Sequence, residues 1–222
     1  MRKPNPQLHA TRREQILTIA AEMFANQKFH EVLMDEVARR AQLAKGTIYN
    51  YFKNKEELYF AIIIHRLEHL LELLQQRVNL KMDPLTNLRR LIIHIYSFMA
   101  KYPHFFQIWY KEKGQFRPGK NARIHELYQE IRQLLIRVLE DGVEHDILRP
   151  HNREFAADIV LGIIDAAVIR SRDFSIEQQR RERIQAYEFV LHALGTPRAW
   201  QLHQMGYDEP KNEKMVDEAV RK

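Results

Sequence analysis

The chain has 222 residues, enough for one elongated domain or for a small domain joined to a larger one. Its 35 Lys and Arg against 29 Asp and Glu give a formal net charge of +6, which suits a polyanionic partner such as nucleic acid. Cysteine is absent, which excludes disulfides, thiolate metal sites and thiol redox sensors and fits a reducing cytoplasm. No run approaches the roughly 18 apolar residues of a membrane span, and no apolar leader opens the chain, so we expect neither a membrane segment nor a membrane partner.

Long stretches place apolar residues at helical spacing and glycine is scarce, so the sequence predicts an all-α fold of about nine helices. Residues 1–10 carry two prolines and basic residues and predict a flexible basic arm. Thr11 stands three residues before Glu14, the spacing of a capping box. The first helix should therefore begin there and end near Gln27.

Two short helices follow, predicted at about 34–41 and 45–52 and separated by Gln42, Leu43 and Ala44. A longer fourth helix should begin with Asn54 as its cap, with Glu57 three residues on, and reach about residue 79. Two short helices joined by a three-residue turn and flanked by longer helices form the helix-turn-helix plan, which we place at about residues 33–52.

The second short helix carries side chains suited to reading DNA. Ile48 and Phe52 are four residues apart and should point together into the core. Lysine can neutralise a phosphate, a tyrosine hydroxyl can donate to a phosphate oxygen, threonine offers a methyl to thymine and asparagine can pair with adenine. The residues left on the other faces are Lys45, Thr47, Tyr49, Asn50 and Tyr51. The simpler alternative is a solvated pair of helices.

Five further helices are predicted beyond residue 80. Asp83 and Pro84 should open the fifth helix, which ends at the junction before Pro103. A short aromatic helix at 103–112, a loop at 114–120 and a helix at about 121–144 come next. Asn152 should cap the eighth helix, and Ser175 with Gln178 forms a capping box for the ninth, which closes at residues 195–197. The polar remainder to 222 has at most one loose helix.

The stretch from residue 34 to 58 resembles the TetR family of transcriptional regulators. The resemblance lies in Lys45-Gly46-Thr47-Ile48-Tyr49, Tyr51-Phe52 and Lys55-Glu56-Glu57-Leu58, and it covers roughly residues 11–64. It implies that the helix with Tyr49 enters the major groove of double-stranded DNA and that a homodimer binds a pseudo-palindromic operator. The implied DNA-contacting residues are Lys45, Gly46, Thr47, Tyr49, Asn50, Tyr51 and Lys55.

Three positions depart from the family pattern. Leu33 stands where a threonine usually caps the second helix, Gln42 where the turn usually has glycine, and Ala44 where serine usually caps the third helix. Each lost cap costs about 1 kcal/mol of helix stability, and Gln42 is expected to adopt a positive φ. Asp35 could replace Leu33 as the cap if the second helix starts later.

The resemblance also implies the organisation of the chain: a basic arm (1–10), a DNA-binding head (11–54), a ligand-binding and dimerisation domain (55–195) and a polar tail (196–222). Dimer contacts are expected from helices 8 and 9, through the apolar run 159–164 and through Ile184, Tyr187, Val190, Leu191 and Leu194. The candidate effector-binding residues are Tyr96, Met99, Phe105, Phe106, Trp109, Tyr110, Tyr128 and Asp165. Each aromatic residue could instead belong to an ordinary core, and Arg170 could neutralise Asp165.

The sequence leaves three classes of function to compare. A repressor released by a small, largely hydrophobic effector, such as a fatty-acyl compound or a drug-like cation, leads; a DNA-bound scaffold that acts on another protein is the alternative. An enzyme is not expected, and no cofactor is called for, because only His65 and His69 have metal-ligand spacing and they lack a third ligand. A solvated helix face explains that pair better, and Arg180, Arg181 and Arg183 are expected at the surface.

Overall fold

A computed structural model describes residues 6–114 and 121–207. In these ranges the chain forms ten helices and no strand, which confirms the all-α fold. The helices are α1 (Pro6–Asn26), α2 (Met34–Arg40), α3 (Lys45–Tyr51), α4 (Lys55–Arg77), α5 (Pro84–Lys101), α6 (Pro103–Glu112), α7 (Ala122–Glu144), α8 (Arg153–Arg170), α9 (Ile176–Leu194) and α10 (Pro197–Gln204). The tenth helix lies in the expected tail, where Thr196 caps it and Pro197 occupies its first turn.

Four predicted helix starts are confirmed by capping hydrogen bonds. Asn54, Asp83, Asn152 and Ser175 each accept hydrogen bonds from backbone N–H groups two or three residues further along. Gln178 completes the capping box of α9 by accepting from the backbone N–H of Ser175. These short polar side chains satisfy N–H groups that the first turn of a helix leaves without partners.

The predicted start of the first helix is wrong. α1 begins at Pro6, and Thr11 lies inside it, with its hydroxyl donating to the carbonyl of Gln7 at 3.0 Å. Proline at the first helical position is a start signal that the expected arm already contained. The rest of that arm (1–5), residues 115–120 of the expected loop and the tail from 208 to 222 lie outside the described residues.

The chain divides into two compact units, with boundaries within α4, between α5 and α6, and within α7. Unit 1 is Met1–Glu68 with Pro103–His125, and unit 2 is His69–Tyr102 with Glu126–Lys222. In unit 1, α1 packs against α2 and α6, and α2 packs against α3. The core of unit 1 includes Ile16, Leu17, Met23, Phe24, Val37, Ile48, Phe52, Leu58, Ile62 and Phe105.

In unit 2, α5 packs against both α8 and α9 and is buried along nearly its whole length. The expectation that Arg183 lies at the surface is wrong, because this side chain is buried and donates to the Ser97 hydroxyl at 3.1 Å. Arg181 is exposed, as predicted. His94 of α5 is also buried, and burial, together with the charges of nearby arginines, lowers its pKa to about 4.

Across the described residues, no helix combines the length and apolar character that a membrane crossing needs.

Candidate nucleic-acid interface

The turn between α2 and α3 has the geometry that its sequence predicts. Gln42 has φ of 56°, the left-handed conformation usually given to glycine. Leu33 and Ala44 occupy the N-cap positions of α2 and α3, and neither makes a side-chain capping hydrogen bond. Asp35 does not take over from Leu33, because α2 already begins at Met34. Both short helices are therefore held by packing rather than by caps.

One side of α3 is core and the other is exposed. Ile48 and Phe52 are buried, which confirms the predicted inward face. Lys45, Gly46, Tyr49 and Asn50 are exposed, while Thr47 and Tyr51 are half-exposed. A Cβ added to Gly46 would meet no heavy atom within 4 Å, so packing inside the chain does not require glycine there. A close approach by a nucleic-acid backbone would explain it.

Carboxylates neutralise several cations beside this surface. The Lys45 ammonium lies 2.7 Å from a carboxylate oxygen of Asp35, which raises the pKa of Lys45. Glu36 accepts hydrogen bonds from the Arg39 and Arg40 guanidinium groups, which lower its pKa to about 2. A phosphate that binds Lys45 must therefore compete with an internal anion.

Lys55 has an internal role as well. Its ammonium donates to the carbonyls of His30 at 3.0 Å and Val32 at 2.9 Å, and it lies 4.8 Å from the centre of the Phe29 ring. These contacts fasten the loop between α1 and α2 to the start of α4. An ammonium group has three N–H donors, so one remains for a phosphate oxygen.

Two residues of α1 that lie beside α3 were not predicted as site residues from the sequence. The His9 ring stacks on the Tyr51 ring, with centroids 4.4 Å apart and planes inclined by 27°. The guanidinium of Arg13, one turn further along, lies 5.7 Å from the centre of the Phe52 ring. His9 and Arg13 have i, i+4 spacing, which places two residues on one face of a helix. The spacing could not be used because residue 9 was predicted to lie in the basic arm and not in a helix.

Of the pair expected as a solvated face, His65 is half-exposed and His69 is exposed, and both rings also make specific contacts. His65 contacts the Glu14 carboxylate, which also accepts from Arg66, and together these contacts lower the pKa of Glu14 to about 2. The His69 ring packs edge-on against Phe98, with centroids 5.5 Å apart. Among the residues that the structure describes, no group of three metal-ligating side chains is found.

Two family models match the chain. Residues 16–62 match "Bacterial regulatory proteins, tetR family", and residues 81–168 match "Tetracyclin repressor-like, C-terminal domain". The chain belongs to the TetR family. A TetR-family protein is a regulator of transcription that carries a helix-turn-helix, and the sequence interpretation as a regulator rather than an enzyme is confirmed.

Relatives match most of this TetR-family chain, and solved structures share its fold. The fatty acid metabolism regulator protein of Bacillus subtilis is 24% identical over 155 residues, which cover 69% of this chain and 80% of the relative. The ketosteroid transcriptional regulator KstR2 of Mycobacterium tuberculosis has a TM-score of 0.73 at 20% identity, covering 83% of this chain and 95% of that one. FadR from Bacillus subtilis, solved in complex with stearoyl-CoA, has a TM-score of 0.63 at 22% identity, covering 81% and 95%.

Four candidate effector-binding residues lie in unit 2: Tyr96, Met99, Tyr128 and Asp165. Tyr96 is buried and donates to the Ser171 hydroxyl at 2.6 Å. Burial raises the pKa of Tyr128, to which the charges of Asp158 and Asp165 add. Asp165 is buried, and the Arg170 guanidinium binds Glu182.

The other four candidates lie in unit 1, on α6. Phe105, Phe106 and Trp109 are buried, whereas Tyr110 is exposed, with the Lys113 ammonium 4.8 Å from the centre of its ring. A separate open groove of about 620 Å³ lies in unit 2, and no candidate residue lines it. It is lined by Arg149, His192, Gly195, Pro197, Trp200 and Gln204.

The apolar stripe assigned to a dimer contact on α9 is largely core. Tyr187, Val190 and Leu191 are buried within this chain. Phe189, on another side of α9, is 63% exposed. Because the sequence shows only that a stripe is apolar, it could not distinguish a stripe covered by α5 from one left for a partner.

α8 keeps an apolar stripe exposed along its whole length. Phe155, Ile159 and Ile169 are 67%, 48% and 46% exposed, and Gly162 and Ala166 between them are exposed too. The five residues, which we call the α8 seam, follow alternate spacings of four and three. This is the spacing at which two helices pack as a coiled coil, and the small central residues permit a close approach.

Proposed function

We propose that this TetR-family regulator is a repressor whose homodimer binds a pseudo-palindromic operator through α3. The observation that carries the proposal is the exposed surface of α3, held over buried Ile48 and Phe52, in the segment that matches the family model. The proposed DNA-contacting residues are Lys45, Gly46, Thr47, Tyr49, Asn50, Tyr51 and Lys55. Because the proposed operator is genomic DNA, we propose a cytoplasmic location.

The proposed DNA contact of each of these side chains follows from its hydrogen-bonding groups and its charge. Tyr49 and Asn50 are exposed and provide hydrogen-bonding groups for base edges and phosphates, while Thr47 offers a methyl group. Lys45 exchanges Asp35 for a phosphate, and Lys55 uses its third donor while its other two hold the loop. Phosphate contacts set the register of the head, and base contacts supply specificity.

The homodimer is proposed to form through α8 and α9. The α8 seam and Phe189 of α9 support this proposal, because so large a row of exposed apolar side chains is uncommon on a monomer. Two copies of α8 packed seam to seam would bury Phe155, Ile159 and Ile169. A dimer in solution also supplies the two reading heads that a palindromic operator needs.

The effector is proposed to be a long-chain acyl-CoA. Two observations on relatives support this class: one is named a fatty acid metabolism regulator, and FadR was solved with stearoyl-CoA. Tyr96 and Met99 of α5, which are buried in unit 2, are the residues that we assign to contact with the acyl chain. Tyr128 and Asp165 supply the few polar groups that orient a ligand.

Release of DNA by an effector is tested directly by fluorescence anisotropy. The probe is a labelled duplex that the wild-type protein has selected from a random-sequence pool, and stearoyl-CoA is titrated into the complex. A saturating effector with a typical coupling weakens DNA affinity by about 5- to 150-fold. Coenzyme A alone is the control for the nucleotide part of stearoyl-CoA, and stearate is the control for its acyl chain.

The controls separate the possible results. Release by stearoyl-CoA and not by coenzyme A supports the proposal. If the protein–DNA complex stays intact with acyl-CoA of every chain length from C8 to C20, the proposed effector is wrong and the scaffold alternative is favoured. Failure to select any sequence from the pool would contradict the operator itself.

A further inference from the structure

The first two turns of α1 extend beyond the part that packs in the core. Residues 7–12 are all exposed, and core residues of α1 begin only at Ile16. Ordering an exposed helical segment costs conformational entropy, so a contact elsewhere must hold it. The stacked rings of His9 and Tyr51 form such a contact with α3.

The contact between His9 and Tyr51 also stabilises α3. α3 has only seven residues, and Ala44 gives it no side-chain cap. An isolated helix of two turns is unstable in water, so its conformation depends on neighbouring side chains. Ile48 and Phe52 hold its inner side, and His9 holds the ring of Tyr51 on the half-exposed side.

We propose that His9 is a positioning residue for DNA recognition, because its ring fixes Tyr51 in the conformation that meets DNA. This inference rests on the proposed function of α3. A tyrosine that is already held loses less rotamer freedom when it binds, so the stacking raises affinity without His9 contacting DNA. Arg13, lying over Phe52, braces the next residue from the same side of α1.

The test is a set of variants at residue 9, measured by anisotropy on the selected duplex and on a scrambled duplex. His9→Ala removes the ring and introduces the residue of highest helix propensity, so a loss of intrinsic helix propensity does not explain weaker binding. It is expected to weaken binding to the selected duplex by about 2- to 12-fold for each bound head, the range of one aromatic pair. His9→Phe keeps a stacking ring and should restore affinity to within about 2-fold of wild type.

A double-mutant cycle isolates the contact. In the Tyr51→Ala background, His9→Ala should have no further effect, because the ring it positions is gone. Leu8→Ala, an exposed neighbour on the same turn, is the matched control and should bind like wild type. Thermal unfolding of each variant verifies that the head is folded.

Three results would overturn the inference: wild-type affinity of His9→Ala, failure of His9→Phe to rescue, or an equal loss from His9→Ala in the Tyr51→Ala background. The second would point to direct contact by the imidazole nitrogens instead. If wild-type protein does not prefer the selected duplex over the scrambled one, the proposed DNA recognition by α3 is wrong. This result differs from the three above, which contradict only the role of His9.

Discussion

Stability should fall at mildly acidic pH because His94 is buried as a neutral group. Its pKa is lowered to about 4 from 6.5, first by burial and then by the charges of Arg77, Arg90 and Arg183. Between these two values the unfolded chain binds more protons, so stability is present above pH 6.5 and is lost as pH falls toward 4. The difference between these two pKa values corresponds to about 3 kcal/mol of stability, of which about 2 kcal/mol is lost between pH 7.5 and pH 5.

The variant His94→Phe removes this titration while filling a similar volume. Urea unfolding at pH 7.5 and at pH 5 gives the free energy of unfolding, and the decrease should be about 2 kcal/mol smaller in His94→Phe than in wild type. Other titrating groups are common to both proteins and cancel. His30→Gln replaces an exposed histidine and should keep the wild-type decrease. Equal decreases in wild type and His94→Phe would refute the reasoning.

Three further predictions concern DNA and assembly. Asp35→Asn frees Lys45 and should strengthen DNA binding by about 1.5- to 5-fold per head in anisotropy titrations; unchanged or weaker binding would count against competition for Lys45. Lys55→Met should lower the free energy of unfolding in urea by about 1–3 kcal/mol and flatten the slope of log K against log salt by about 0.9 per head. A wild-type slope would leave Lys55 with its loop role alone. Ile159→Asp should convert the dimer to monomer in sedimentation, whereas Leu80→Asp, exposed between α4 and α5, should not; a persistent dimer would exclude the α8 seam.

The helix-turn-helix was predictable because its signals are local. Asn54 caps α4 as its residue type and spacing predict, and the positive φ of Gln42 was expected from the family pattern, which usually has glycine at this turn position. Ile48 and Phe52 face the core because helical spacing places them together. Local hydrogen bonding and periodicity decide the cap and the inward face, so one sequence was enough for these two, whereas the turn geometry was predicted from the family pattern.

What could not be predicted depends on which neighbour covers a helix face. Arg183 reads as a surface cation, yet it is buried against Ser97 of α5, 86 residues earlier in the chain. Tyr187 reads as a dimer contact and is core, whereas Phe189, two residues on, is exposed. Periodicity identifies an apolar face but not its partner.

In the candidate site, too, some features were predictable from the sequence and others depend on tertiary contacts. The exposed positions Lys45, Tyr49 and Asn50 came from pattern and family resemblance. The internal partners of Lys45 and Lys55 did not, because Asp35 and the carbonyls of residues 30 and 32 reach them only through the fold. His9 was missed for the same reason, since its role depends on where α1 begins.

Selection of duplexes by the purified protein from a random-sequence pool, followed by sequencing and footprinting, is the most direct test of operator recognition by two copies of α3. A symmetric dimer should enrich an inverted repeat whose half-sites are protected about 10 base pairs apart, centre to centre, or a multiple of that spacing, and Tyr49→Ala should lose this enrichment. Enrichment of no common sequence, or of the same repeat by Tyr49→Ala as by wild type, would contradict recognition through α3.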